Sequence, residues 1–184
     1  MCYSAQIHAS YRKYVREFGA SVSFEHFVEL FWEKRRDGGW SKLPKAMRAA
    51  FLSAASDKEG AVADLVAAGD KDQARALETE LFQQKTRLTA AEHALAAKPT
   101  KKAENDQRIA TDKIARAQRN LADLQRADLM DRDSRILPGH YAPVMVVQDD
   151  QRVVIPMRYQ CSCRGGRRRW SARNLVHTML SERC

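Results

Sequence analysis

Between residues 57 and 128 the chain carries one aromatic residue, Phe82, in a stretch rich in Ala, Glu, Lys, Arg, Gln and Leu. Leu77, Leu81, Gln84, Leu88, Ala91 and Leu95 recur at alternating spacings of four and three. Ala110, Ile114, Ala117, Leu121, Leu124 and Asp128 do the same. That period runs an apolar seam along one side of each of two helices. Lys98-Pro99-Thr100-Lys101-Lys102 separates them, because proline cannot continue a helix. The pattern predicts an antiparallel helical hairpin over 57–128, with arms of about 30 Å or more at ~1.5 Å per residue. Alanines at the seam let the arms approach closely. Such a hairpin is either a structural insertion or an arm that oligomerises or grips DNA.

The flanking segments have other textures. Tyr11, Tyr14, Val15 and Phe18 suit one helix face within residues 3–18. A helix is expected at 23–35, capped by Ser23, with Phe24, Phe27, Val28, Phe31 and Trp32 as one apolar stripe, ended by Asp37-Gly38-Gly39. A short helix follows at 44–55, where Met47, Ala50 and Phe51 pack. After residue 130 the texture is that of a sheet. Ile136–Pro143 is rich in turn residues, Val144–Val147 reads as a buried strand, and Gln148-Asp149-Asp150-Gln151 as a polar turn. Val153–Ile155 returns as the second strand of a hairpin, continued by Pro156–Tyr159. Two strands alone are marginal, so this sheet needs more strands than the chain obviously supplies.

The length of 184 residues fits one domain with a substantial core. Hydrophobic content of 44% with 30% charged residues argues against wholesale disorder. No apolar run reaches the ~20 residues of a membrane span, and the N-terminus has no secretory signal pattern. A cytoplasmic protein, cytosolic or nucleoid-associated, is expected. The net charge of +9 points to an acidic partner, nucleic acid most simply, but residues 161–184 alone hold six Arg against one Glu. A basic tail, rather than a patterned face, supplies most of the charge. Cysteines at 2, 161, 163 and 184 match neither a disulfide framework nor a paired zinc site, which suggests a reducing compartment and no metal.

Cys2 directly follows the initiator Met. Removal of Met1 leaves a thiol beside a free α-amine whose pKa is near ~8. Such a 1,2-aminothiol takes an aldehyde as a Schiff base and then closes on the same carbon to a thiazolidine. An internal cysteine cannot do so, because its nitrogen is an amide. Arg158 beside Tyr159 suits single-strand binding, a guanidinium on phosphate and a ring on a base; the alternative is a structural pair at a strand edge. His140 is the best-placed histidine. His8, His26 and His93 fall on expected helices.

Met1-Cys2, RILPGHYAPVMVV at 135–147 and RVVIPMRYQC at 152–161 together resemble the SOS-response-associated peptidase family, also called the abasic-site-processing family. The resemblance covers roughly residues 1–161. Its marks are the Met-Cys start, Ala142-Pro143 before a strand, and the Arg158-Tyr159 pair on the next strand. Commoner members begin Met-Cys-Gly-Arg and carry Arg-Trp-Gly on the later strand. This chain has Tyr3, Ser4 and Tyr159, and is similar to the subgroup with a Met-Cys-Tyr-Ser-Ala-Gln opening and a long helical insertion. The resemblance implies an α+β fold, a compact β-rich domain with flanking helices, here its N-terminal portion plus the hairpin at 57–128. It implies self-removal of Met1, binding of single-stranded DNA containing abasic sites, and a thiazolidine DNA–protein crosslink on Cys2 that shields the lesion in the SOS response to DNA damage. Arg158, Tyr159 and His140 would be the DNA-binding residues. No cofactor is implied, and a monomer is expected.

The family's later Asn, in a Thr-Tyr-Asn-Ala-Arg segment, and its Glu and His have no counterparts in residues 162–184, which show no strand period. Back-translation of Asn174–Leu180 in another frame permits Pro-Gly-Thr-Tyr-Asn-Ala. The expectation is therefore a frameshift after Cys161 and a basic tail at 162–184 in a non-native frame. A sheet that stops at its first hairpin would leave an edge and apolar faces uncovered. Two other functions fit the composition. One is a non-enzymatic helical interaction protein built on the hairpin; the other is a nucleic-acid binder acting through its Arg-rich tail.

Overall fold

A computed structural model describes residues 5–6, 11–52, 57–159 and 178–179. They form a mixed α+β chain in two compact units, one from the described residues of Met1–Gly69 and Leu129–Cys184, the other Asp70–Asp128.

The first unit opens with strand β1, Ala5–Gln6, where the sequence suggested helix, and continues with helix α1, Tyr11–Phe18. The apolar face expected of α1 is not a core face. Tyr11 is buried, but Val15 and Phe18 are exposed. Strand β2, Ser21–Val22, leads into helix α2, Phe24–Arg36. Ser23 stands at the N-cap position without a capping hydrogen bond; its hydroxyl meets His26 Nδ1, and its N–H donates to the Val154 carbonyl at 3.1 Å. The buried face of α2 is Phe27, Leu30 and Phe31. Trp32, expected in that stripe, is 49% exposed; it continues the row of Phe24 and Val28, which pack on the margin of the core and are only partly buried. Gly38 and Gly39 end the helix with φ of 82° and 89°, values open to glycine and strained for other residues.

A 3₁₀ turn at Trp40–Lys42 precedes helix α3, Lys45–Leu52, whose Met47 and Phe51 are buried. Helix α4, Asp57–Ala97, is continuous, and its first turns up to Gly69 belong to this unit. Val62 and Val66 are fully buried in the same core as Phe27, Phe31 and Phe51. The hairpin expected from residue 57 therefore separates as a unit only from residue 70. The core is aromatic at its centre. Tyr11 stacks on Phe51 at 4.6 Å, and Phe27 lies 4.9 Å from Phe51. The Tyr11 hydroxyl donates to Glu59 Oε1 at 2.7 Å, and Arg12 Nη2 donates to Glu59 Oε2 at 3.1 Å, tying α1 to α4. Burial, and then the Glu59 bond, push the Tyr11 hydroxyl up to about 12. Arg48, despite its charge, is 8% exposed, with Nε donating to the Leu43 carbonyl and its guanidinium 5.7 Å from the Trp40 ring. Burial lowers that guanidinium to about 10.

In the second unit, helix α5, Lys101–Gln125, runs back after Lys98-Pro99-Thr100. Thr100 caps it, its hydroxyl accepting from the Ala103 N–H. Leu77 and Ala91 of α4 and Ala103, Ala110 and Ala117 of α5 are buried. The alanines of α5 recur every seven residues, as a close-packed seam requires. Arg87 of α4 and Asp106 of α5 form an ion pair that bridges the arms across the link, so they are antiparallel. Asp128 lies beyond the end of α5 and is exposed, outside the seam assigned to it.

The first unit closes with a 3₁₀ turn at Asp131–Ser134, strand β3 at Arg135–Ile136, β4 at Tyr141–Gln148 and β5 at Gln151–Tyr159. Strands β4 and β5 pair antiparallel from Tyr141↔Arg158 to Gln148↔Gln151. Asp149 and Asp150 make the two-residue loop, with φ of 48° and 60°. Positive φ at both positions is the type I′ geometry that matches strand twist. Pro143 faces Pro156. Neither has an N–H, and counting from the Tyr159 N–H to the His140 carbonyl makes theirs a non-hydrogen-bonded pair, where none is needed.

The strands missing from the sequence reading are two-residue pieces. Strand β2 pairs parallel with Val153–Val154, and Thr178–Met179, here β6, pairs parallel with Arg158–Tyr159. Both lie on the edge of β5 away from β4, on either side of Pro156, which has no N–H to offer that edge. The tail segment, read as lacking a strand period, thus contributes one strand. Pairing of this length uses backbone groups and leaves no alternation to read. A separate pair joins β1 to β3, Ala5↔Ile136 and Gln6↔Arg135.

Candidate nucleic-acid interface at the end of the hairpin

The open end of the β4–β5 hairpin gathers three of the four residues singled out from sequence. Gly139, with φ of 92°, turns the chain into β4. Its N–H donates to the Tyr159 carbonyl at 2.6 Å, while the Tyr159 N–H donates to the His140 carbonyl at 2.7 Å. The His140 N–H closes a tight turn on the Leu137 carbonyl at 2.9 Å. Both backbone groups of Tyr159 are therefore bound to the Pro-Gly-His turn, which fixes Arg158, Tyr159 and His140 at one end of the sheet.

Their side chains do not form one cluster. Adjacent residues on a strand face opposite sides. Arg158 shares its face with its cross-strand partner Tyr141 and with Val154, the face that packs on the core containing α2. Tyr159 takes the other face. The pair expected from sequence, a guanidinium for phosphate and a ring for a base, is thus split between the two faces of the sheet end.

Two polar atoms here are shielded from solvent and have no hydrogen-bond partner among the described residues: Nδ1 of His140 and Nε of Arg158. Nη2 of Arg158 lies 3.7 Å from the point a Cβ on Gly139 would occupy, so the guanidinium sits over the turn. Burial, with a smaller contribution from the nearby Lys42 ammonium, holds the His140 imidazole below its ordinary value, which keeps it neutral near pH 7. A neutral imidazole can accept a proton.

Cys2 falls outside the described residues, as do His8, Cys161, Cys163 and Cys184. Among the described residues no group of three or more His, Cys, Asp or Glu side chains is placed to hold a metal ion. Among them, no helix is long and apolar enough to cross a membrane. A groove of about 880 Å³ lies elsewhere on this unit, walled by Phe24, Val28 and Trp32 of α2 and by Val22 and Val153; none of His140, Arg158 and Tyr159 lines it.

Sequence reasoning missed Lys34 and Lys42 at this end of the sheet. The Lys34 ammonium lies 5.1 Å from the Tyr141 ring centroid. The available signal was the Gly38-Gly39 pair, which reverses the chain so that the stems of lysines eight residues apart both lie beside Gly39. No family model, curated protein or solved structure matches this chain.

Proposed function

We propose that this chain is an abasic-site-processing protein, which binds single-stranded DNA and crosslinks to the lesion through Cys2 after removing its own Met1. The observation that supports this most is the β1–β3 pairing. Ala5 lies beside Ile136, four residues before His140, and Cys2 precedes Ala5 by three residues. At ~3.3–3.6 Å per residue, that tether is at most about 11 Å. A tether of that length from β1 supports a site in which the N-terminal amine and thiol work beside Arg158, Tyr159 and His140.

The chemistry balances without a cofactor. The ring-opened abasic sugar presents an aldehyde at C1′. The Cys2 α-amine adds to it, and loss of one water gives the protonated imine. The thiolate then adds to the same carbon, closing the C–S bond of a thiazolidine. A neutral imidazole such as that of His140 suits the proton transfers, and a guanidinium and a phenol ring on either side of the sheet end suit a strand draped across it. The test is incubation with an oligonucleotide bearing one abasic site, followed by denaturing electrophoresis. A retarded band from the wild type and none from Cys2→Ala is the expected result; equal bands from both refute the chemistry.

A second reading keeps the hairpin of residues 70–128 as the working part, as a non-enzymatic interaction module. It is favoured by Phe82, a large apolar side chain that is 72% exposed on the arm. Concentration-dependent oligomers that survive Cys2→Ala and are lost in Phe82→Glu would support it.

A further inference from the structure

Three elements each bring a cation to the side of the hairpin end: Lys34 over Tyr141, Lys42 near His140, and Arg158 opposite Tyr141. The Lys34 and Lys42 Cδ atoms each lie 3.7 Å from the place of a Gly39 Cβ, so the two stems are at most twice that distance apart. The backbone brings them together because Gly38 and Gly39, both at positive φ, reverse the chain between α2 and the Trp40–Lys42 turn. From there the Lys34 ammonium reaches over the Tyr141 ring, 5.1 Å from its centroid. Tyr141 is the cross-strand partner of Arg158 on the same face, in a non-hydrogen-bonded pair whose Cα atoms are about 4.5 Å apart.

No ion pair joins Lys34, Lys42 or Arg158 to a carboxylate among the described residues. Asp37, whose carboxyl is held low by Arg36 and to a lesser degree by Lys34, is already paired with Arg36 at 2.6 Å. Cations brought to one end of the sheet by a helix, a 3₁₀ turn and a strand make a positive patch that favours an anion. Nε of Arg158 is shielded and has no partner among the described residues, a donor awaiting an acceptor.

We propose that Lys34, Lys42 and Arg158 form an oxyanion site that takes one phosphate group. The source of that phosphate, a backbone phosphodiester of single-stranded DNA, rests on the function proposed above; the site itself does not. A fork from Arg158 and two point charges suit a tetrahedral phosphate.

The test uses the full chain carrying Cys2→Ala, so that only reversible binding is read, and an unmodified single-stranded oligonucleotide followed by fluorescence anisotropy at several salt concentrations. Lys34→Ala and Lys42→Ala should each weaken binding on the order of fivefold to tenfold and flatten the slope of log K against log salt by about 0.7. Lys34→Arg, which keeps the charge, should retain the wild-type slope, and Lys113→Ala on the hairpin should change neither quantity. Inorganic phosphate, compared with chloride at equal ionic strength, forms the second arm. Competition by phosphate in the wild type that is lost in Lys42→Ala shows a site open to the free ion; loss of oligonucleotide affinity without such competition assigns the site to the strand. Unchanged affinity and slope in both lysine variants, in both arms, overturn the site. Abasic crosslinking with Cys2 intact is scored separately: its absence beside flattened slopes refutes the crosslinking function and leaves the oxyanion site standing, and the reverse pattern refutes only the site.

Discussion

Replacing Gly69 by alanine puts a methyl carbon 2.3 Å from both Cη2 and Cζ2 of Trp40 and 2.7 Å from Cε2. Ordinary carbon contacts lie at ~3.5–4.0 Å, so the overlap exceeds 1 Å by this comparison. The indole has nowhere to go. It is 5% exposed, with the Phe31 ring at 5.9 Å and the Arg48 guanidinium at 5.7 Å. Overpacking of this kind costs roughly 1–3 kcal/mol. Against it stands the helix propensity of alanine, which favours Ala over Gly in a helix interior by about 1 kcal/mol. With three ring atoms inside contact distance the upper half of the cost range applies, and a net loss of about 1–2 kcal/mol results. Gly60, in the first turn of the same helix, is the control: nothing among the described residues lies within 4 Å of its Cβ position. Gly60→Ala should be neutral or stabilising by up to about 1 kcal/mol. Urea denaturation followed by tryptophan fluorescence and circular dichroism separates the two. Trp40→Phe in the Gly69→Ala background should restore part of the loss, as coupled neighbours do. Gly69→Ala that stabilises as much as Gly60→Ala would refute the packing of α4 on Trp40.

Three further outcomes follow from the same structure. Asp150→Gly places glycine at a φ of 60° in the type I′ loop and should raise stability by about 0.5–1 kcal/mol, read from the urea midpoint. Tyr11→Phe removes a buried donor from Glu59 and should cost about 1–2 kcal/mol; since the wild-type hydroxyl is raised from 10 to about 12, its contribution is present below pH 10 and is lost as pH rises from 10 to 12, a loss Tyr11→Phe should lack. His140 is depressed by burial and by Lys42, so below its ordinary value of about 6.5 the unfolded chain takes up the proton first, and stability falls as pH drops. The slope from this one group cannot exceed about 1.4 kcal/mol per pH unit, and His140→Gln should flatten it in melts from pH 7 to 5.

The long-period features were readable from sequence because they repeat. The heptad seam placed Leu77, Ala91, Ala110 and Ala117 inward, and the run of β-branched residues around Asp149-Asp150 marked the hairpin. Features that depend on a single partner were not readable. Strands β2 and β6 are two residues long and carry no alternation. Val62 and Val66 looked like the start of the hairpin, yet they complete the aromatic core, a tertiary choice that the helix pattern does not encode. Trp32 is exposed despite its apolarity, while Arg48 is buried against Trp40 despite its charge. At the candidate site, the Pro-Gly-His turn and the Arg-Tyr pair stood out as residue types. Their opposite faces follow from strand alternation, but the approach of Lys34 and Lys42 needed the reversal at Gly38-Gly39 to be seen in three dimensions.

Capture of an aldehyde by Cys2 is tested most directly by the intact mass of the adduct formed with an oligonucleotide carrying one abasic site, followed by mapping of the N-terminal peptide. Thiazolidine formation predicts a mass equal to the chain without Met1 plus the oligonucleotide minus one water, with the modification on Cys2 and no adduct from Cys2→Ala. An adduct on another residue, or one formed equally by Cys2→Ala, would contradict it.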